Sequence, residues 1–342
     1  MERQPVEFLG RRFDGLMAEA RTSLASFLGA QTDEIVYFPN PTTAINMVAR
    51  NLSLGPGDEI LASDHEYGAM DRTWRFICKK TGAQYINQPV PLPIHGDDEF
   101  IAQFWAGVNE RTRVIFLSHI TSSTAIIFPI TEIIRRAREA GILTIIDGAH
   151  APGQIPVNLA EIGADIYTGA CHKWLCAPKG SAFLYARKEV QEWLEPLVVS
   201  WGYESEKPGP SRFLDYHEWQ GTRDISAFLS VPTAIRFQQE HQWELGQARC
   251  RKLARITRQR INEVLCSPPV CPEDMFGQMF TVRLPEGTNP EELKERLYND
   301  YRIEVPITRL NEDIFMRVSI QAYNSEEDIE KLVNAIRVLF PR

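Results

Sequence analysis

Seven short runs of apolar, β-branched and aromatic residues dominate the first half of the chain. They are EIVYF (34–38), EILAS (59–63), QYINQ (84–88), VIFLS (114–118), LTIID (143–147), DIYTG (165–169) and AFLYA (182–186). Helix-like stretches such as ITEIIRRAREAG (130–141) separate most of them. A strand buried on one face alternates apolar and polar residues; a strand buried on both reads as a nearly continuous apolar run. Runs of the second kind, alternating with helices, predict βαβ units and a mainly parallel seven-stranded sheet covered on both sides. Such α/β sheets bind ligands beyond the carboxyl ends of their strands. The residues just past each run therefore carry the functional information.

From about residue 235 the texture changes. FQQEHQWELGQARCRKLARITRQRINEVL reads as one long amphipathic helix. TVRLP (281–285), PEELKERLYND (290–300), RIEVP (302–306), FMRVSI (315–320) and SEEDIEKLVNAIRVLF (325–340) then predict a β-α-β-β-α module. Ser325 and Asp328 have the spacing of a capping box at the start of the last helix. The expected division is a large domain over 1–230 and a smaller C-terminal α/β domain over 231–342.

Composition removes several function classes. A formal net charge of −8, with no run of Lys and Arg, leaves no electrostatic footprint for nucleic acid. No window approaches the roughly 18 apolar residues of a membrane span, and the N-terminus lacks the apolar core of a signal peptide. Six scattered cysteines read as free thiols of a cytoplasmic protein. Cys171, His172 and Cys176 tempt a zinc reading. Their C-x4-C spacing is wrong for it, adjacent side chains at 171 and 172 diverge, and no fourth ligand is suitably placed. No metal is expected.

Five strand ends carry polar or turn chemistry. PNPTTAIN (39–46) places Thr42 and Thr43 at a helix start, where free N–H groups and hydroxyls suit a phosphate. DHEYGA (64–69) places Tyr67 where it can stack on a flat ring. HITSST (119–124) is a loop of small hydroxyl residues containing Ser123. DGAHAPG (147–153) opens with Asp147 at the end of an apolar strand, a costly place for an unpaired charge, and His150 follows. GACHKWLCAP (169–178) places Lys173 beside Trp174, where an apolar neighbour disfavours the ammonium and leaves a nucleophilic amine. Each feature alone has an ordinary structural explanation. Together they supply phosphate anchoring, ring stacking, an acid for a pyridine nitrogen and a Schiff-base lysine, the four requirements of pyridoxal phosphate. No G-x-G-x-x-G or G-x-x-x-x-G-K-[ST] motif argues for a dinucleotide or a nucleoside triphosphate.

On NPTTAIN, DHEYGA, SHITSSTA, DGAHAPG, TGACHKW and EWQGTRDISAF the chain resembles the class V aminotransferase family of fold type I pyridoxal-phosphate enzymes. Within that family it is most similar to the isopenicillin N epimerase-like proteins, with the cysteine desulfurases as relatives. The resemblance implies that Lys173 holds the cofactor as an internal aldimine and later moves the α-proton. It implies that Asp147 pairs with the pyridine nitrogen, His150 with the ring hydroxyl, and Tyr67 with the ring face. Thr42, Thr43 and His172 match phosphate contacts, and Ser123 stands where the desulfurases have a cofactor-side asparagine. Gly221 and Thr222 match a segment that reaches the neighbouring subunit's phosphate, which implies a homodimer with shared active sites. Arg317 matches the arginine that grips a substrate carboxylate.

The departures are specific. Relatives carry a further N-terminal segment with a glycine-rich turn, whereas this chain starts almost at EFLGRR. Ala170 replaces a Ser or Thr on the phosphate. The loop 306–315 lacks the persulfide-forming cysteine of a standard desulfurase. The expected function is a pyridoxal-phosphate enzyme working at the α-carbon of an amino acid through an external aldimine, epimerase-like. A C–S (β-) lyase is the alternative, then an aminotransferase, and outside catalysis an idle cofactor-binding homologue. Trp201, Tyr203, Trp219 and the loop 200–216 are expected to shape the substrate pocket.

Overall fold

The computed structural model describes residues 3–341. All seven apolar runs form strands: β1 (Ile35–Phe38), β2 (Glu59–Ser63), β3 (Gln84–Gln88), β4 (Thr112–Ser118), β5 (Leu143–Gly148), β6 (Ile166–Ala170) and β7 (Ala182–Ala186). They make one sheet in the order β1-β7-β6-β5-β4-β2-β3. β3, β2, β4, β5 and β6 run parallel, while β7 is antiparallel to both β6 and β1. The β6–β7 link spans only residues 171–181. A parallel crossover needs about a dozen residues or more, so β7 turns straight back. Lys173 lies in that link.

The period of two along each strand sorts the core into two clusters. Ile35, Tyr37, Leu61, Ile115, Leu117, Ile146, Tyr167 and Phe183 face one side, with the helices Phe13–Leu28 and Ile130–Glu139 packed over them. Val36, Phe38, Ile60, Ala62, Val114, Phe116, Ile145 and Ile166 face the other, under Pro41–Asn51 and Gly68–Thr81. Apart from the half-exposed edge strand β3 the sheet is dry on both faces, so polar chemistry collects at its strand ends.

The second half forms a smaller antiparallel sheet, β8 (Met279–Arg283), β9 (Ile307–Leu310) and β10 (Asp313–Ser319), in the order β8-β10-β9. The helices Pro290–Tyr301 and Glu326–Leu339 complete it. Ser325 and Asp328 form the expected capping box. Two details differ from expectation. RIEVP is not a strand: Arg302 takes a left-handed conformation (φ 57°) that ends the preceding helix, and Pro306 has no N–H for a ladder. The strand begins one residue later, although the Pro306 carbonyl still accepts from Arg317 N at 2.9 Å. The long helix is also broken, into Val231–Glu240 and Trp243–Leu265. Gln242 at the break has φ 48°, and just before it the Phe237 and His241 rings stack with centroids 4.1 Å apart while His241 Nδ1 meets the Phe237 carbonyl at 2.8 Å.

One glycine controls how the Lys173 link docks. Gly153 has φ +85°, and a Cβ there would sit 2.5 Å from Leu175 N and 2.5 Å from the Trp174 carbonyl carbon. Gly153→Ala is expected to destabilise the protein by more than ~1 kcal/mol, through both backbone strain and this backbone clash. Chemical denaturation measures this. An unchanged midpoint would show that the link yields at little cost.

Candidate active site

Strands β4, β5 and β6 end level with one another, because Asp147 pairs in register with Ser118 on one side and Thr168 on the other. A cavity of about 390 Å³ opens beyond these ends. Asp147, Ala149, His150, His172 and Lys173 line one part of it. Asn40, Pro41, Thr42, Tyr67, Ser118, Ile120, Ser122 and Arg317 line the rest. Six chain segments far apart in sequence therefore meet around one space.

Asp147 is buried, and its carboxylate accepts from Ala149 N at 2.9 Å. Burial raises its pKa, while the nearby Lys173 charge and that N–H act the other way. Lys173 opens to solvent through the cavity mouth, yet protein surrounds its amine. Burial, opposed by Asp147, brings its pKa down to about 8, with the cations Arg317 and Lys179 adding to the fall. Its Nζ lies 2.9 Å from His150 Nε2. Trp174 Nε1 donates to the other nitrogen of that ring, Nδ1, at 3.3 Å. Burial, Lys173 and Arg317 all hold His150 well below the usual histidine range.

The helix start differs in detail from expectation. Its N-cap is Asn40, whose Oδ1 accepts from Thr43 N at 2.8 Å and from the Thr43 hydroxyl at 3.0 Å. Thr43 is thus committed to the cap, and Thr42 faces the cavity. Ser123 is likewise turned away: its hydroxyl donates to His65 O, and its carbonyl accepts from the Thr308 hydroxyl at 2.9 Å. Its neighbour Ser122 lines the cavity instead. Arg317 reaches the cavity from β10 and donates through one terminal nitrogen to Ser122 O at 2.5 Å and Ser122 Oγ at 3.2 Å. Two buried nitrogens at the wall, Arg317 Nε and His172 Nδ1, have no hydrogen-bond partner in the protein. An orphaned buried donor beside a cavity calls for a ligand acceptor. Half-exposed Tyr67 (48%) supplies the aromatic face.

Gly221 and Thr222 do not line this cavity within one chain, and Thr222 is exposed. The aromatic loop departs from expectation as well. Trp201 is 87% exposed, Trp219 packs edge-on against Phe13 at 4.8 Å, and Tyr203 pairs with Tyr216. None of the three touches the Lys173 cavity. All six cysteines are free, and among the described residues no cluster of His, Cys, Asp and Glu could hold a metal ion.

Sequence reasoning passed over Ser118 and Glu66. Glu66 is buried behind the cavity, its carboxyl 2.5 Å from Ser118 Oγ and 2.6 Å from Ser63 Oγ, and it also receives Ser118 N at 3.2 Å. Burial pushes its pKa up to about 8 against the pull of these bonds, with Asp147 adding a smaller push. The available signal was an acidic residue inside DHEYGA, directly before the candidate stacking residue. Gln154 was missed too. Its Oε1 accepts from Gln278 N at 3.0 Å and Met279 N at 3.2 Å, and its Nε2 donates to His150 O at 2.8 Å. It ties the small sheet to the segment that carries His150.

The residues fit pyridoxal phosphate. The lysine, with its pKa brought down to about 8, yields a free amine far more readily than an ordinary lysine, a buried carboxylate faces it, a helix start and an unpaired histidine nitrogen offer phosphate contacts, and an aromatic ring flanks the space. Comparisons with known proteins agree. The profile of the aminotransferase class-V family matches residues 4–332. The chain is 37% identical to an isopenicillin N epimerase of Amycolatopsis lactamdurans, over 98% of this chain and 88% of that protein. It is 29% identical to a putative L-cysteine desulfhydrase of Oryza sativa, over 98% and 77%. Its fold matches the solved cysteine desulfurase of Thermococcus onnurineus with TM-score 0.81 at 22% identity, over 95% of this chain and 84% of that one. The chain belongs to the aminotransferase class-V family, and is therefore an enzyme of the pyridoxal-phosphate-dependent fold type I group.

Glu66 gives a test of site electrostatics. Its folded pKa of about 8 lies above the unfolded value of about 4.3, so between these the folded state keeps a proton that the unfolded state has released. That contribution is complete below about pH 4 and disappears as pH rises through about 8. Glu66→Gln is expected to flatten the fall of the thermal midpoint between about pH 5 and pH 8. An unchanged slope would place the proton on another group.

Proposed function

We propose that the chain is an epimerase-like enzyme that inverts the α-carbon of an amino acid carrying a free carboxylate. The observation that carries this reading is the convergence of Lys173, Asp147 and Arg317 on one cavity. Pyridoxal phosphate, when bound, supplies an electron sink that weakens the α-C–H bond of an attached amino acid. Lys173 is the residue that would hold the cofactor covalently, and its amine is the group that takes the α-proton. Asp147 would face the pyridine nitrogen. A carboxylate buried there keeps a positive ring nitrogen favourable. His150 would face the ring hydroxyl, Tyr67 the ring plane, and Thr42 and His172 the phosphate. Arg317 has its Nε unpaired, which leaves one edge of the guanidinium for a substrate carboxylate while Ser122 holds the other.

Inversion needs the proton returned to the opposite face from that of its removal. The β-lyase alternative needs Lys173 alone to act as base, and the similarity to a protein named as a cysteine desulfhydrase favours keeping it as the second reading. Incubation with a panel of amino acids in deuterated water separates the two. Inversion gives α-deuterated substrate of both configurations; elimination gives pyruvate and ammonia from β-substituted substrates. A keto acid that keeps the substrate's side chain, formed without release of ammonia, would instead identify transamination and overturn both.

We further propose a homodimer in which Gly221 and Thr222 face the partner's phosphate site, which accounts for their lying off the cavity of their own chain. The enzyme is placed in the cytoplasm, in keeping with six free thiols. Among the described residues no helix is long and apolar enough to cross a membrane. The large and small domains are proposed to divide at residues 230 and 231. Sedimentation as a monomer at working concentration would contradict the dimer.

Lys173→Ala is expected to abolish the visible band that borohydride bleaches in the loaded protein, and to lower turnover by at least ~10²-fold. Arg317→Ala is expected to raise KM for the amino acid by about 10- to 100-fold, the cost of one charged hydrogen-bonding contact, and to reduce kcat far less. A KM that stays constant would remove Arg317 from carboxylate binding.

A further inference from the structure

Three groups in a row behind the cavity define a hydrogen-bond chain whose direction the chemistry dictates. The Trp174 indole nitrogen carries a hydrogen and has no acceptor site. It lies 3.3 Å from His150 Nδ1, so Nδ1 has to present its lone pair. An imidazolium, or a neutral ring protonated at Nδ1, would set two N–H groups against each other. The one remaining species is the neutral ring protonated at Nε2. That N–H points at Lys173 Nζ, 2.9 Å away. An ammonium has three N–H groups and no lone pair, so the contact is made only by a free amine.

We propose that Trp174 is a positioning residue: by donating its indole N–H to Nδ1 it locks His150 as the Nε2–H tautomer, and this makes the His150 contact specific for the free-base form of Lys173. Geometry alone carries the assignment. The use made of it, a nucleophilic amine opposite a fixed donor, rests on the role proposed above for Lys173.

The electrostatics run the same way. Burial disfavours charge on both His150 and Lys173. Arg317 opposes a charge on either, and Lys179 opposes one on Lys173. His172 also feels the Lys173 charge, and Asp147 is the one group that favours the ammonium. Lysine therefore has two poses: neutral against His150, or charged and drawn toward Asp147. Trp174 is buried and lies next to Lys173 in the chain, so the same link delivers the amine and the group that sets its partner. Without the indole N–H, His150 is free to move its proton to Nδ1 and accept from an ammonium. A hydrogen bond to a charged group is worth ~1.5–3 kcal/mol, so the amine's pKa should rise by about 1 unit or more.

The test uses the apoprotein with ¹⁵N-labelled histidine, the His150 signals being assigned by their loss in His150→Asn. At about pH 9, above the Lys173 midpoint, wild-type His150 should show an unprotonated Nδ1 and a protonated Nε2. A proton on Nδ1, or on both nitrogens, overturns the proposal, and this does not require a Trp174 variant to fold. Trp174→Phe, checked by its thermal melt, should show exchange between tautomers. The pH midpoint for covalent capture of pyridoxal phosphate by the apoprotein should move upward by about 1 unit. A midpoint that does not move in a folded Trp174→Phe protein would overturn the link to Lys173. Absence of capture in the wild type would contradict the proposed function while leaving the tautomer measurement intact.

Discussion

A carboxylate that ends a buried strand is the constraint from which the site follows. Asp147 sits between Ser118 and Thr168 at the close of a sheet that is dry on both faces. Leaving it charged there is costly without a cation or a donor. The protein provides one N–H, from Ala149, and one nearby amine, on Lys173. A pyridinium nitrogen would complete the pairing. The same desolvation acts in reverse on Lys173, whose ammonium it disfavours, bringing the pKa down to about 8. One physical effect, exclusion of water from the carboxyl edge of the sheet, thus prepares both halves of the chemistry.

The surrounding structure holds the two segments that carry these groups against each other. Antiparallel return of β7 leaves a short link for Lys173. Gly153 lets that link pack against the loop following Asp147. Gln154, Ser122 and Ser123 then bind the small sheet to the same loops through bonds that each join a side chain to a backbone group. The backbone half of each contact depends on position rather than on side-chain identity. Arg317 can therefore be delivered from β10, about 170 residues further along the chain than Asp147, without a motif that links them.

Much of the fold was legible because its signal is local. Every run of apolar residues became a strand, since dry strands on both faces need continuous apolar sequence. The errors fell where local pattern and context part company. RIEVP has strand composition, but a left-handed Arg302 and an N–H-less Pro306 keep it out of the ladder. The helix around Gln242 looks continuous, but an aromatic stack accompanies its break. In the site, Lys173, Asp147, His150, Tyr67, Thr42, His172 and Arg317 could be named from strand ends and resemblance. Thr43 and Ser123 look like ligand residues in the same way, but their hydroxyls are taken up by Asn40 and His65. Ser118, Ser122 and Glu66 lie inside SHITSSTA and DHEYGA, but nothing local marks their part, because it depends on neighbours more than 50 residues away.

The sequence by itself determined the class of sheet, the edge at which the cavity opens and the candidate pair, Lys173 and Asp147, that lines it. These follow from periodicity and from residue types placed just beyond buried strands. The tertiary structure alone decided which hydroxyls face the cavity, which donors are left unpaired, and which nitrogen of His150 carries the proton. Those properties belong to contacts rather than to residues. A hydrogen bond has a direction only once both partners are in place, and Trp174, His150 and Lys173 acquire theirs when the β6–β7 link folds against the end of β5.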